Sequence, residues 1–169
     1  MALVLQAFTN PANSVITADN AGGPLPKVPV ITPSVTEPYI DGNNSYIWSP
    51  TNIANQVVTF RSTFSFGSPI LTLALPVSVN YAFAGNETVS VSGTLQVVNL
   101  LGIVIATIPL FSNVINVNGP NSVEIASADT LLGIALLGNT VNLIIDATVT
   151  APVINTGKYL GQITVRTVV

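Results

Sequence analysis

Cysteine and histidine are both missing from this 169-residue chain. Their absence excludes disulfides, thiolate nucleophiles, imidazole acid–base chemistry and the usual zinc sites. Charge is nearly as scarce: 7% of the residues are Asp, Glu, Lys or Arg, against about 25% in an ordinary soluble domain. The basic side chains are Lys27, Arg61, Lys158 and Arg166, and the net charge is −3, so no cationic footprint exists for a nucleic-acid backbone and no nucleic-acid partner is expected. Long hydrophobic runs are lacking too. The longest, Leu100–Phe111, holds 12 residues with Gly, Thr and Pro among them, short of the roughly 18 that a spanning helix needs, so no membrane span is expected. Met1–Ser14 has a brief apolar stretch without a basic n-region and is taken as mature protein, not a signal peptide.

Acid–base chemistry has little material. The seven carboxylates, Asp19, Glu37, Asp41, Glu87, Glu124, Asp129 and Asp146, are scattered over predicted turns and strand edges, whereas general acid–base catalysis needs groups that converge. A serine nucleophile would need Lys27 or Lys158 as its base, and neither adjoins a serine motif. Asp41-Gly42-Asn43-Asn44 offers oxygen ligands without the acidic spacing of a calcium loop, and a plain turn is expected there. Phosphate-binding and dinucleotide glycine patterns are absent. The expectation is a protein that is not an enzyme and holds no cofactor or metal.

What the chain does have is alternation, within a composition that is 49% hydrophobic. Val58, Phe60, Ser62, Phe64 and Phe66 alternate with Thr59, Arg61, Thr63 and Ser65, the two-residue period of a half-buried strand. Val77, Val79, Tyr81 and Phe83, then Val89, Val91, Leu95 and Val97, repeat it on either side of Gly85-Asn86, which predicts a hairpin with its tip there. Further strands are predicted over Ser45–Ser49, Gly102–Leu110 (ended by Pro109), Phe111–Val117, Val123–Ile125, Thr140–Thr150 and Lys158–Val169; Ser127–Leu137 stands as strand or loop. About eight to ten strands without a convincing helix predict an all-β chain, a single antiparallel β-sandwich of jelly-roll type, with an Ig-like sandwich second. An eight-stranded outer-membrane barrel also fits the alternation, but its aromatic girdles would be thin.

The N-terminal part is organised differently. Residues 1–21 form a β-capable arm, residues 22–38 a spacer held extended by Pro24, Pro26, Pro29, Pro33 and Pro38, and residues 39–169 the sandwich. Two arrangements are open. The arm folds onto its own domain, or it is thrown onto a neighbouring subunit, where Leu3, Val4, Leu5, Phe8, Val15 and Ile16 would make the contact by strand addition. Asp146 and Arg166 each interrupt the polar face of a strand and suggest an ion pair. Tyr46 and Trp48 lie close together on a short strand; if exposed they suit stacking on a sugar ring, and otherwise they belong to the core. Asn43-Asn44-Ser45 and Asn86-Glu87-Thr88 permit glycosylation in a host that performs it.

A surface clothed in Ser, Thr and Asn instead of charge favours association. The expected function is therefore a structural subunit, its partners copies of itself, forming a homopolymer outside the cell or on a cell or spore surface and exported without a recognisable signal. The layout, an arm and spacer over Met1–Pro38 followed by Tyr39–Val169, resembles that of bacterial endospore appendage pilins and other strand-complemented pili. That resemblance implies a jelly-roll subunit whose arm donates a strand to the next subunit. Without cysteines in the arm, such a fibre would be non-covalent. Two alternatives stand beside it: a viral or phage jelly-roll coat or fibre protein, and a carbohydrate-binding or adhesin module resting on Tyr46 and Trp48.

Overall fold

The computed structural model describes residues 1–32, 46–67, 74–118, 122–133 and 138–168. Among them lie eleven strands: β1 (Ala2–Phe8), β2 (Ser14–Asp19), β3 (Val30–Ile31), β4 (Ile47–Trp48), β5 (Gln56–Gly67), β6 (Leu75–Gly85), β7 (Val89–Val98), β8 (Val104–Asn116), β9 (Glu124–Leu132), β10 (Thr140–Ala151) and β11 (Tyr159–Thr167). They form two sheets, ordered β3-β4-β11-β6-β9 and β2-β5-β10-β7-β8, and β1 joins the first by pairing with β11. The ladders are antiparallel throughout.

With β1 to β3 set aside, the sheets reduce to β4-β11-β6-β9 and β5-β10-β7-β8. That order is a jelly roll, in which successive strands change sheet and a single pair, here β7 and β8, stays together. The hairpin therefore lies at Asn99–Ile103, not at Gly85-Asn86. Asn99 Oδ1 accepts from the backbone nitrogens of Leu101 (2.9 Å) and Ile103 (3.0 Å), and Gly102 takes the left-handed φ of 78° that closes the turn. At Gly85 the chain instead crosses between sheets. A Cβ there would stand 2.5 Å from Val89 Cγ2, so glycine serves close packing at a corner. Both strands that flank Gly85 are amphipathic, so alternation alone does not tell a hairpin from a crossover.

Two further expectations are corrected. Pro109 does not end a strand: β8 runs continuously from Val104 to Asn116, because it is an edge strand, where a missing N–H is tolerated, and because bulges opposite Val91–Thr94 absorb the distortion. Ser127–Leu132, left open as strand or loop, belongs to β9; residues 134–137 lie outside the described ones.

The core sits between the sheets and takes the alternate residues of each strand. Phe60, Tyr81, Phe83, Val91, Leu143, Ile145 and Ile163 have no exposed surface, and each large apolar side chain so placed contributes about 1.5–3 kcal/mol. Ser62 interrupts this set but hydrogen-bonds Ser14 Oγ at 2.6 Å, so its burial leaves no orphan hydroxyl.

Candidate functional site

The arm is part of the sandwich. β1 pairs with β11 of its own chain from Ala2↔Thr167 to Phe8↔Gln162, and β2 pairs with β5 in the other sheet. Buried Thr9 locks the crossing: its nitrogen donates to Gly161 O at 2.9 Å, and Gly161 N donates to Thr9 Oγ1 at 3.0 Å. Of the predicted contact residues, Ile16 is fully buried, Val4 and Leu5 pack partly buried against the core, and Phe8 is half-buried, whereas Leu3 and Val15 face outward. So Val4, Leu5 and Ile16 find their partners within the chain. The spacer folds back as well: Ile16 and Lys27 exchange backbone hydrogen bonds of 2.8 and 3.1 Å, and Val30–Ile31 pair with β4. Pro33 and Pro38 lie outside the described residues, as do the Asp41–Asn44 turn and the Asn43 sequon.

Asp146 pairs with Arg61, not with Arg166. The register sets Asp146 directly opposite Arg61, and the guanidinium makes a two-pronged contact, Nε to Oδ1 at 2.8 Å and Nη2 to Oδ2 at 2.9 Å. Both side chains are well exposed, at 51% and 39%, so the pair contributes about 1 kcal/mol at most. Arg166 is carried by β11 on the outer face of the opposite sheet, beside Leu3 and Ser78. Sequence spacing gave no means of choosing between the two arginines; cross-strand register makes the choice.

Tyr46 and Trp48 are buried, with 4% and 2% exposure, so they are not the open stacking platform that a sugar ring needs. Trp48 packs on Phe60 with ring centroids 5.8 Å apart, and Lys158 Nζ stands 5.6 Å over the Tyr46 ring. Asn86 Nδ2, the atom a glycan would occupy, donates to Thr156 O at 2.7 Å.

The most organised polar group centres on a residue that the sequence did not single out for chemistry. Asp19 ends β2, and its Oδ2 accepts from Lys27 Nζ (2.8 Å) and Ser49 Oγ (2.5 Å). Its Oδ1 accepts from Gln56 Nε2 (3.0 Å) and Ala21 N (2.9 Å). Lys27 also donates to Gly22 O, and Trp48 Nε1 donates to Gln56 Oε1 at 3.1 Å. Burial by itself would raise the Asp19 carboxyl; the donors from Lys27, Ser49, Gln56 and Ala21 outweigh it and hold the group below its ordinary 3.8. With every oxygen engaged this is a structural clasp joining β2, β4 and β5. Residues far apart in sequence compose it, so no local motif announces it.

Beyond the clasp, between β3, β4 and the segment before β11, a cavity of about 370 Å³ is lined by Val30, Ile31, Thr32, Trp48, Ser49, Asn52, Asn155 and Gly157. Gly157 is required there, since a Cβ would meet Trp48 Cε2 at 1.9 Å.

The two sides of the sandwich differ. On one of them the chain crosses from β1 to β2, which ends its sheet with a single bridge from Ile16 to Lys27. On the other, β8 and β9 end their sheets, and among the described residues no further strand pairs with either. Exposed apolar side chains gather along these strands and their connection: Leu100, Leu101, Ile103, Val104 and Ile115 around β8, and Ile125 and Leu131 on β9. From Asn99 to Val117 there is no charged residue at all.

No family model and no curated protein sequence matches the chain. Solved structures are similar to it in fold. The enzymatically active domain of tailspike protein 4 from bacteriophage CBA120 superposes with a TM-score of 0.51 at 11% identity, over 94% of this chain and 20% of that one. VP2 of the infectious bursal disease virus subviral particle gives 0.46 at 13% identity, over 83% and 37%. The CBM22-1 xylan-binding domain of Paenibacillus barcinonensis Xyn10C gives 0.47 at 7%, over 99% and 95%. What is shared is the fold. This chain spans about a fifth of the tailspike chain, and none of these three is a spore appendage pilin.

Proposed function

We propose that this chain is a non-enzymatic building block, a coat or fibre subunit of the viral or phage kind, that associates with copies of itself through the β8–β9 side. The observation that carries this reading is the unguarded edge. Edge strands are ordinarily protected by lysines, inward charges or covering segments; β8, the longest strand at 13 residues, carries none of those charges. Its protection amounts to Pro109 and local bulges, which leave free runs on either side. A second copy suits it best, because an uncharged edge with flanking Ile, Leu and Val is complementary to itself and needs no oppositely charged partner. The coat or fibre form is preferred to a pilus built by arm exchange because β1 already occupies the flank of β11 in its own chain.

Analytical ultracentrifugation and negative-stain microscopy of the intact chain and of Ile105→Lys/Ile115→Lys test this. Both isoleucines point outward, at 37% and 50% exposure, so the variant keeps its fold and is expected to sediment as monomer while the parent assembles. A parent that stays monomeric at several hundred micromolar, or a variant that assembles as the parent does, overturns it.

A further inference from the structure

We infer that the cavity beside Trp48 is a binding site for a neutral saccharide. Among the described residues no charged side chain lines it, and those that do line it favour neither an anion nor a cation over an uncharged ligand. Its volume of about 370 Å³ falls within the roughly 300–1,000 Å³ of small-molecule sites. Val30 and Ile31, 45% and 60% exposed, supply apolar surface suited to the C–H face of a sugar above the buried Trp48, while Asn52 and Asn155 bring two carboxamides to the lining. Neither carboxamide has a hydrogen-bond partner among the described residues, although the neighbouring polar groups do: Ser49 Oγ is held by Asp19 and Thr51 N, and Thr32 Oγ1 by Tyr46 O. A carboxamide both donates and accepts, as a pair of adjacent sugar hydroxyls requires. Asn155 takes a left-handed φ of 65°, and the Asp19 clasp ties Ser49 and, through Gln56, Trp48 in place before a ligand arrives. A peptide strand is the other occupant to consider, since β3 pairs on one flank with β4; it would use backbone hydrogen bonds and have no need of the two asparagines.

Trp48 is the sole tryptophan, so all the tryptophan emission comes from the residue in the cavity wall. The intact chain is titrated with neutral hexasaccharides of glucose, mannose, galactose and xylose, following Trp48 fluorescence together with the side-chain amide resonances of Asn52 and Asn155. The comparison variant is Asn52→Ala/Asn155→Gly, which removes both carboxamides and keeps the backbone that position 155 requires. Saturable changes with at least one saccharide, weakened about tenfold or more in a variant whose melting temperature is unchanged, are the expected result. Silence in both readouts across all four sugars overturns the inference, as does unchanged affinity in the variant or an equal response to an uncharged extended peptide. Assembly through β8 is measured separately, so failure here leaves the coat or fibre reading standing, and the reverse also holds.

Discussion

Tyr81 and Tyr159 show how closely this core depends on single atoms. Their rings are fully buried on neighbouring strands, and their hydroxyls hydrogen-bond each other. Burial, the largest influence on both, raises the two phenols well above the ordinary value of 10.0, so the contact is between neutral hydroxyls. Gly161 makes room for them; a Cβ there would lie 1.8 Å from Tyr81 Oη. Removing one hydroxyl strands the other in a dry site. Tyr81→Phe should therefore lower unfolding free energy by about 1–3 kcal/mol in chemical denaturation, while Tyr81→Phe/Tyr159→Phe should cost clearly less than the two single changes added together. Additive losses would mean that the hydroxyls are satisfied elsewhere. The sequence marks Tyr81 and Tyr159 as inward-facing by their place in two alternating runs, but it cannot show that they meet, because β6 and β11 are distant in the chain and become neighbours through the jelly-roll order. The same limit applies to Arg166 and Asp146: alternation puts both on polar faces, and the face of which sheet is a question of topology.

At the scale of elements, strand existence was legible and strand partnership was not. Hydrophobic alternation located β5, β6, β7, β10 and β11 because each buries one face, whereas the crossover at Gly85 and the continuous edge strand through Pro109 depend on which strand lies alongside. The Asp19 clasp belongs to this scale, since it fastens β2 to β4 and β5. Its effect on stability has a definite sign. Asp19 titrates lower in the folded chain than its ordinary 3.8, so its contribution is fully present above about pH 4 and is lost as pH falls through the depressed value. The melting temperature of Asp19→Asn should accordingly lie below that of the parent at neutral pH, with the gap narrowing as pH drops below about 4. A gap that is constant from neutral pH down to pH 2 would show that the charge of Asp19 does not matter.

For the whole molecule, the question is where one copy ends and the next begins. An apolar arm ahead of a proline-rich stretch suggests exchange between subunits, and the composition of the first residues carries no sign against it. What shows the pairing is spatial: Thr9–Asn13 passes from the flank of β11 to the flank of β5, and buried Thr9 and Ser14 find their hydrogen bonds at its two ends. The arm thus pairs within the sandwich, and the β8–β9 side is the one proposed above for a second copy. Leu5 and Leu3 separate intramolecular closure from exchange. Leu5 packs against the core opposite Val165, while Leu3 lies outward, 52% exposed, opposite Arg166. Leu5→Asp should destabilise the monomer by about 1–3 kcal/mol, and Leu3→Asp by no more than about 0.5 kcal/mol. Assembly by folded Leu3→Asp should match the parent, because neither β8 nor β9 is touched. If Leu3→Asp and Leu5→Asp both abolish assembly while the monomers melt as the parent does, the arm is exchanged between subunits and the β8 edge is not the contact.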